Sequence, residues 1–188
     1  MATRNSELRR KGIHLVGLAV PVLYWFANKL VVLCFIAFWL VLFIAGEIYR
    51  FRRGIPKKAE KIARPMMREY ERRGTAAHVF LAAGFFVAVL FYAKDVAIAV
   101  SLIVVFGDCA SAAVGGYIGG RQLIRGKTLW GTLALVLTAF VVSFWIVGVP
   151  LAFAGAITTG AVEPLPINDN FSVPVAAGLA MTAARYFL

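Results

Sequence analysis

The chain has 188 residues, of which 61% are apolar or aromatic and only 15% charged, with a mean hydropathy of +0.82. A soluble domain of this size has too little interior for so much hydrocarbon, and disorder requires low hydrophobicity, so both are excluded. Lysine and arginine outnumber acids by 20 to 9, a net charge of +11; beside that hydropathy the surplus reads as the basic-loop signal of a membrane protein, with no nucleic-acid partner.

The apolar runs are long and do not alternate, which predicts helices rather than a β-barrel. Arg4, Arg9, Arg10 and Lys11 precede a first segment, Ile13 to Ala27, which has no small-residue cleavage site after it and reads as a retained helix. A turn at Asn28-Lys29 leads to a second segment, Leu30 to Tyr49. Residues 50–75 form the one long polar stretch. Ile55, Ala59, Ile62, Met66 and Tyr70 recur there at helical spacing among lysines and arginines, which predicts a basic amphipathic helix on the cytoplasmic face, kinked at Pro65. The third segment is Ala76 to Ala93, and the fourth is Val96 to Gly120, interrupted at Gly107-Asp108. The basic loop from Arg121 to Lys127 follows. Thr128 to Ala161 carries no charge and breaks at Gly148-Val-Pro150, giving a fifth segment to Val147 and a short sixth from Leu151 to Val162. Glu163 to Asn170 is a polar loop, and Phe171 to Leu188 is the seventh segment.

With the N-terminus inside, 17 of the 20 basic residues fall on the cytoplasmic side; Lys29, Lys94 and Arg185 fall outside. The expectation is therefore an all-α, polytopic integral membrane bundle of about seven transmembrane segments, N-in and C-out. It is one membrane-embedded domain over residues 1–188.

Ionisable groups at membrane depth mark function by default. Glu47 and His78 lie near segment ends, where snorkelling or a helix–helix hydrogen bond suffices to explain them. Asp108 lies inside the fourth segment and needs a cation, a wet cavity or a basic partner. The topology gathers it on one face with Arg121, Arg125, Lys127, Glu163, Asp169, Asn170, Arg10, Lys11 and His14. Carboxylates, basic side chains and glycine turns are the parts of a magnesium–nucleotide site. Gly115/Gly119 and Gly116/Gly120 have the spacing either of close helix packing or of a turn that admits a phosphate. Cys34 and Cys109 read as small apolar residues.

The motifs Arg10-Lys11-Gly-Ile-His14, Gly107-Asp108-Cys-Ala-Ser-Ala-Ala-Val-Gly115, Gly119-Gly-Arg121, Lys127-Thr128-Leu-Trp-Gly131-Thr132 and Glu163-Pro-Leu-Pro-Ile-Asn-Asp169-Asn170 occur in that order. In this the chain resembles the CTP-dependent polyprenol kinase family, comprising dolichol kinase, phytol kinase and the CTP-using diacylglycerol kinase. It is more distantly similar to phosphatidate cytidylyltransferase. The resemblance spans nearly the whole chain. It implies an integral membrane enzyme that moves the γ-phosphate of CTP to a lipid alcohol at the cytoplasmic face, like the small archaeal or bacterial members in a prokaryotic cell membrane.

By resemblance, the catalytic residues would be Asp108, Lys127, Asp169 and His14. Arg10, Lys11, Gly115, Gly119, Arg121, Lys127, Thr128, Gly131 and Asn170 would contact the nucleotide. Asp108, Glu163 and Asp169 would hold Mg²⁺ or Mn²⁺. Where many members have Glu-Gly-Ser after Lys-Thr, this chain has Trp130-Gly131-Thr132, so that loop lacks the acid. The partners implied are the lipid alcohol, CTP and surrounding membrane lipids. The competing readings are a cytidylyltransferase that makes a CDP-lipid, whose His-Gly-Gly-x-x-Asp-Arg element is absent, and a small transporter or flippase. Neither the lipid nor the oligomeric state is legible in these residues.

Overall fold

The computed structural model describes residues 15–55, 74–123 and 127–187. Every named element among them is helical. A 3-10 turn, Leu15–Leu18, runs into α1 (Ala19–Phe26); α2 (Lys29–Arg53), α3 (Ala77–Phe91), α4 (Lys94–Ile118), α5 (Leu129–Val147), α6 (Val149–Val162) and α7 (Asp169–Tyr186) follow. These match the seven predicted segments in order.

Boundaries move for local reasons. Asn28 caps α2 by accepting the Val31 N–H at 3.0 Å. The helix then runs four residues past Tyr49, absorbing Arg50, Arg52 and Arg53, basic residues that suit the negative end of a helix dipole. Gly148, at φ 82°, ends α5, and Pro150 sits in the first turn of α6, where its missing N–H costs nothing. The predicted interruption at Gly107-Asp108 is corrected: α4 is continuous through it. Gly107 is there for packing. A Cβ at that position would lie 2.6 Å from Leu135 Cδ1. The predicted amphipathic helix of residues 50–75 lies largely outside the described residues.

α4 is the central helix. Val96, Ala97, Ala99, Val100, Ile103 and Val105 are all fully buried, and α5, α7, α3 and α1 pack around it. Small residues set the close approaches. Gly84 of α3 faces the Asn170 carbonyl of α7, 2.7 Å from where a Cβ would stand. That carbonyl is left free by Pro174, which has no N–H to return to it. α2, α4 and α5 are each long and apolar enough to cross a membrane; at about 1.5 Å per residue, the 25 residues of α4 extend roughly 37 Å. Large apolar side chains face outward, including Phe26, Trp39, Trp145 and Phe153.

The ends of the bundle differ. At one end the α1–α2 and α3–α4 turns meet. Lys29 Nζ donates to the Leu90 carbonyl at 2.7 Å, and Lys94 Nζ donates to the carbonyls of Trp25 and Ala27, each at 3.2 Å. Arg185, in the last turn of α7, pairs with Asp95 in the first turn of α4. The three basic residues assigned to the outer side thus share one end. Residues 119–123 and 127–128 and the polar loop 163–168 lie at the other.

Candidate functional site

The site is built where α4, α5, α6 and α7 converge at that second end. α4 stops at Gly119 and Gly120, whose φ angles of 68° and 98° suit glycine. The chain turns into a small hairpin: Gln122 pairs with Thr128 in an antiparallel bridge, the Leu123 N–H donates to the Lys127 carbonyl at 2.6 Å, and the Leu129 N–H to the Arg121 carbonyl at 3.1 Å. Thr128 then caps α5, its Oγ1 accepting the Gly131 N–H at 3.1 Å. In the Lys-Thr pair, therefore, the threonine starts the helix and the lysine is the last residue before it.

Across the bundle, Glu163 ends α6 and Asp169 opens α7. Asn168 caps α7 by accepting the Asn170 N–H at 3.2 Å. An acid at the start of α7 is favoured by the helix dipole; an acid at the end of α6 is not. Glu163 is nonetheless 96% buried, with 4% exposure, and its cost is offset by three donors from three elements. Lys127 Nζ donates to Oε1 at 2.6 Å, Ser111 Oγ of α4 to Oε1 at 3.2 Å, and Thr132 Oγ1 of α5 to Oε2 at 2.9 Å. Lys127 Nζ also donates to Asp169 Oδ2 at 2.8 Å. One ammonium thus bridges two carboxylates. Burial works against its charge, but Asp169 and then Glu163 outweigh that and hold the Lys127 pKa above its ordinary value.

The predicted residues fall as follows. Lys127, Glu163 and Asp169 come together. Asp108 is half-buried on α4, three residues before Ser111 and so on the same helix face. Thr128 and Gly131 are the α5 cap and the α4–α5 contact. A Cβ at Gly131 would lie 2.9 Å from the Ser111 carbonyl, and one at Gly115 would lie 2.6 Å from Thr128 Oγ1. Of the two readings of the glycine pairs, Gly115 follows close packing, whereas Gly119 serves the turn. Gly116 has nothing within 4 Å. Arg121 is exposed at the hairpin start, and Asn170 is buried at the start of α7. Arg10, Lys11, His14 and Arg125 lie outside the described residues. Glu47 makes the helix–helix contact expected of it, pairing with Arg50 at 2.7 Å and accepting the Ala76 N–H at 3.0 Å.

Magnesium takes oxygen ligands and is commonly held by one or two carboxylates plus substrate phosphates. Glu163 and Asp169 converge on one point, and among the described residues no three His, Cys, Asp or Glu side chains do. Two carboxylates are too few for an all-protein metal cage, and both already face the Lys127 ammonium. Ser111 and Thr132 were not foreseen. Their signal was their helical register, Ser111 three residues after Asp108 and Thr132 four after Thr128, but nothing local ties either to Glu163.

No family model matches the chain, and no solved structure matches it. It is similar to an uncharacterized protein of Rickettsia prowazekii (strain Madrid E), 29% identical over 205 aligned positions that cover 98% of this chain and 97% of the relative.

Proposed function

We propose that the protein is a CTP-dependent lipid-alcohol kinase, embedded in the cell membrane by seven segments in the N-in, C-out sense, with the Lys127–Glu163–Asp169 cluster at the cytoplasmic face. The single observation that carries the reading is the half-buried ammonium bridging two carboxylates, at the end of the bundle where the polar loops gather. Such a cluster at the end of a helical bundle is costly unless used. Its parts are those a phosphoryl transfer needs: a cation for the phosphate oxygens, and acids for a metal.

Mg²⁺ or Mn²⁺, when bound with the nucleotide, would neutralise phosphate charge; Glu163 and Asp169 are the acids that would hold it, and Asp108 is not grouped with them. Lys127 binds the transferring phosphate. Arg121, exposed at the hairpin start, adds positive charge, and Arg10 and Lys11 belong to the same motif set. The lipid hydroxyl approaches from the membrane plane with its tail against the apolar outer faces. His14 or a carboxylate is the candidate acceptor of the hydroxyl proton.

The test is purified protein with CTP labelled at the γ- or the α-phosphate and a panel of dolichol, polyprenol, geranylgeraniol, phytol and diacylglycerol. The kinase reading expects γ-label on the lipid. Transfer of α-label with pyrophosphate release identifies a cytidylyltransferase instead, and counterflow of lipid without CTP identifies a transporter.

A further inference from the structure

Four hydroxyls inside these helices bond locally, while Thr159 and Ser172 have no partner among the described residues. Ser101, Ser143, Thr158 and Thr182 each donate to the carbonyl four residues back, at 2.8, 2.6, 2.8 and 2.7 Å. A hydroxyl in an apolar helix satisfies itself in this way. Ser111 and Thr132 both reach across to Glu163, 52 and 31 residues away in the chain. They come from different helices and take different oxygens of the same carboxylate. Glu163 is thereby held at both ends: Thr132 fixes Oε2, while Ser111 shares Oε1 with Lys127.

We infer that Thr132 and Ser111 are positioning residues, which orient the Glu163 carboxylate so that Lys127 stays seated between Glu163 and Asp169. Among the described residues Thr132 is the donor to Oε2, and a carboxylate that loses it is freer to turn about its last torsion and presents Oε1 to Lys127 only part of the time. Among the described residues, the charged groups around Lys127 are Glu163 from α6 and Asp169 from α7, which contact it, Asp108, one turn along α4 from Ser111, and Arg121, just before the Gln122–Thr128 bridge; Thr132 of α5 is neutral. The consequence for catalysis rests on the proposed kinase reading; the seating of Lys127 does not.

The experiment reads Lys127 directly, without nucleotide. Purified full-length wild type, Thr132→Val, Thr132→Ser and Ser111→Ala are treated with succinimidyl acetate at one fixed pH, and modification of Lys127 and Lys94 is followed by peptide mass spectrometry. In Thr132→Val, loss of the hydroxyl should raise Lys127 labelling severalfold by unseating the amine from its two carboxylates, with Lys94 unchanged. Thr132→Ser should return it to within about twofold of wild type, and Ser111→Ala should move it in the same direction by a smaller factor. Unchanged Lys127 labelling in Thr132→Val with helicity retained overturns the inference, as does failure of Thr132→Ser to restore it. If Thr132→Val does not fold, Ser111→Ala decides: faster Lys127 labelling supports the inference and wild-type labelling overturns it. A parallel CTP assay keeps the two readings apart, because absence of phosphate transfer by wild type sinks the kinase proposal while leaving the labelling result intact.

Discussion

At the scale of single residues the protein places one lysine against two acids in a nearly dry setting. Lys127 is 17% exposed at its side chain and Glu163 is 3% exposed, so their attraction is poorly screened by salt. The sign of the linkage follows from the raised Lys127 pKa. The folded value lies above the ordinary 10.5, so the stabilisation is complete below that pH and is lost as pH climbs through the folded value. Thermal melts of wild type and Lys127→Met should therefore run parallel from neutral pH to about 10 and converge above it, as wild type loses its advantage. A gap that closes on acidification alone would contradict this. The lysine and both acids were legible in the amino-acid sequence as candidates, because charges in so apolar a chain stand out. Their pairing was not legible. Nor was the dependence of Glu163 on Ser111 and Thr132, since hydroxyls in apolar helices usually satisfy themselves locally.

At the scale of helices, glycine spacing alone is ambiguous, and neighbouring glycines resolve differently. Gly115 lies against Thr128, the cap of α5, while Gly116 of the next residue faces open space. Gly115→Ala should therefore destabilise by about 1–3 kcal/mol, the range for overpacking, and should disturb the residue beside Lys127. Gly116→Ala should be neutral or stabilise by about 0.5–1 kcal/mol through helix propensity. Detergent melts of the two single variants decide the matter, and equal effects would show that the α4–α5 contact is not as described. The same physics explains the one interruption that α4 does not have. Gly107 next to a charged residue resembles a helix break, but it serves as the notch for Leu135, a tertiary fact without a local trace. By contrast, the break at Gly148 carried its own signal in the following proline, and the α2 start carried its own in Asn28. Those boundaries were readable for that reason.

At the scale of the whole molecule, the two ends have different chemistry. Lys29, Lys94 and the Asp95–Arg185 pair close one end with main-chain and ionic contacts; the ion cluster, the glycine turn and the proline-rich loop occupy the other. On the proposed seven-segment topology, these ends would face opposite compartments. In a variant with Cys34 and Cys109 replaced by Ala, single cysteines introduced at Asn28, Tyr92 or Gly148 should react with a membrane-impermeant maleimide from outside intact cells, and cysteines at Gln122 or Leu165 only after permeabilisation. Labelling of both sets from one side would refute the seven-segment topology. The central claim, however, is chemical. Its most direct measurement is transfer of labelled γ-phosphate from CTP to a lipid alcohol by the purified protein, compared with Asp108→Asn and Lys127→Ala. The account predicts a labelled lipid phosphate from wild type and a fall of about 100-fold or more in each variant, the usual scale for removing a charged group that acts on the transition state. Variants that keep wild-type rates, or a wild type that transfers nothing to any alcohol of the panel, would contradict it.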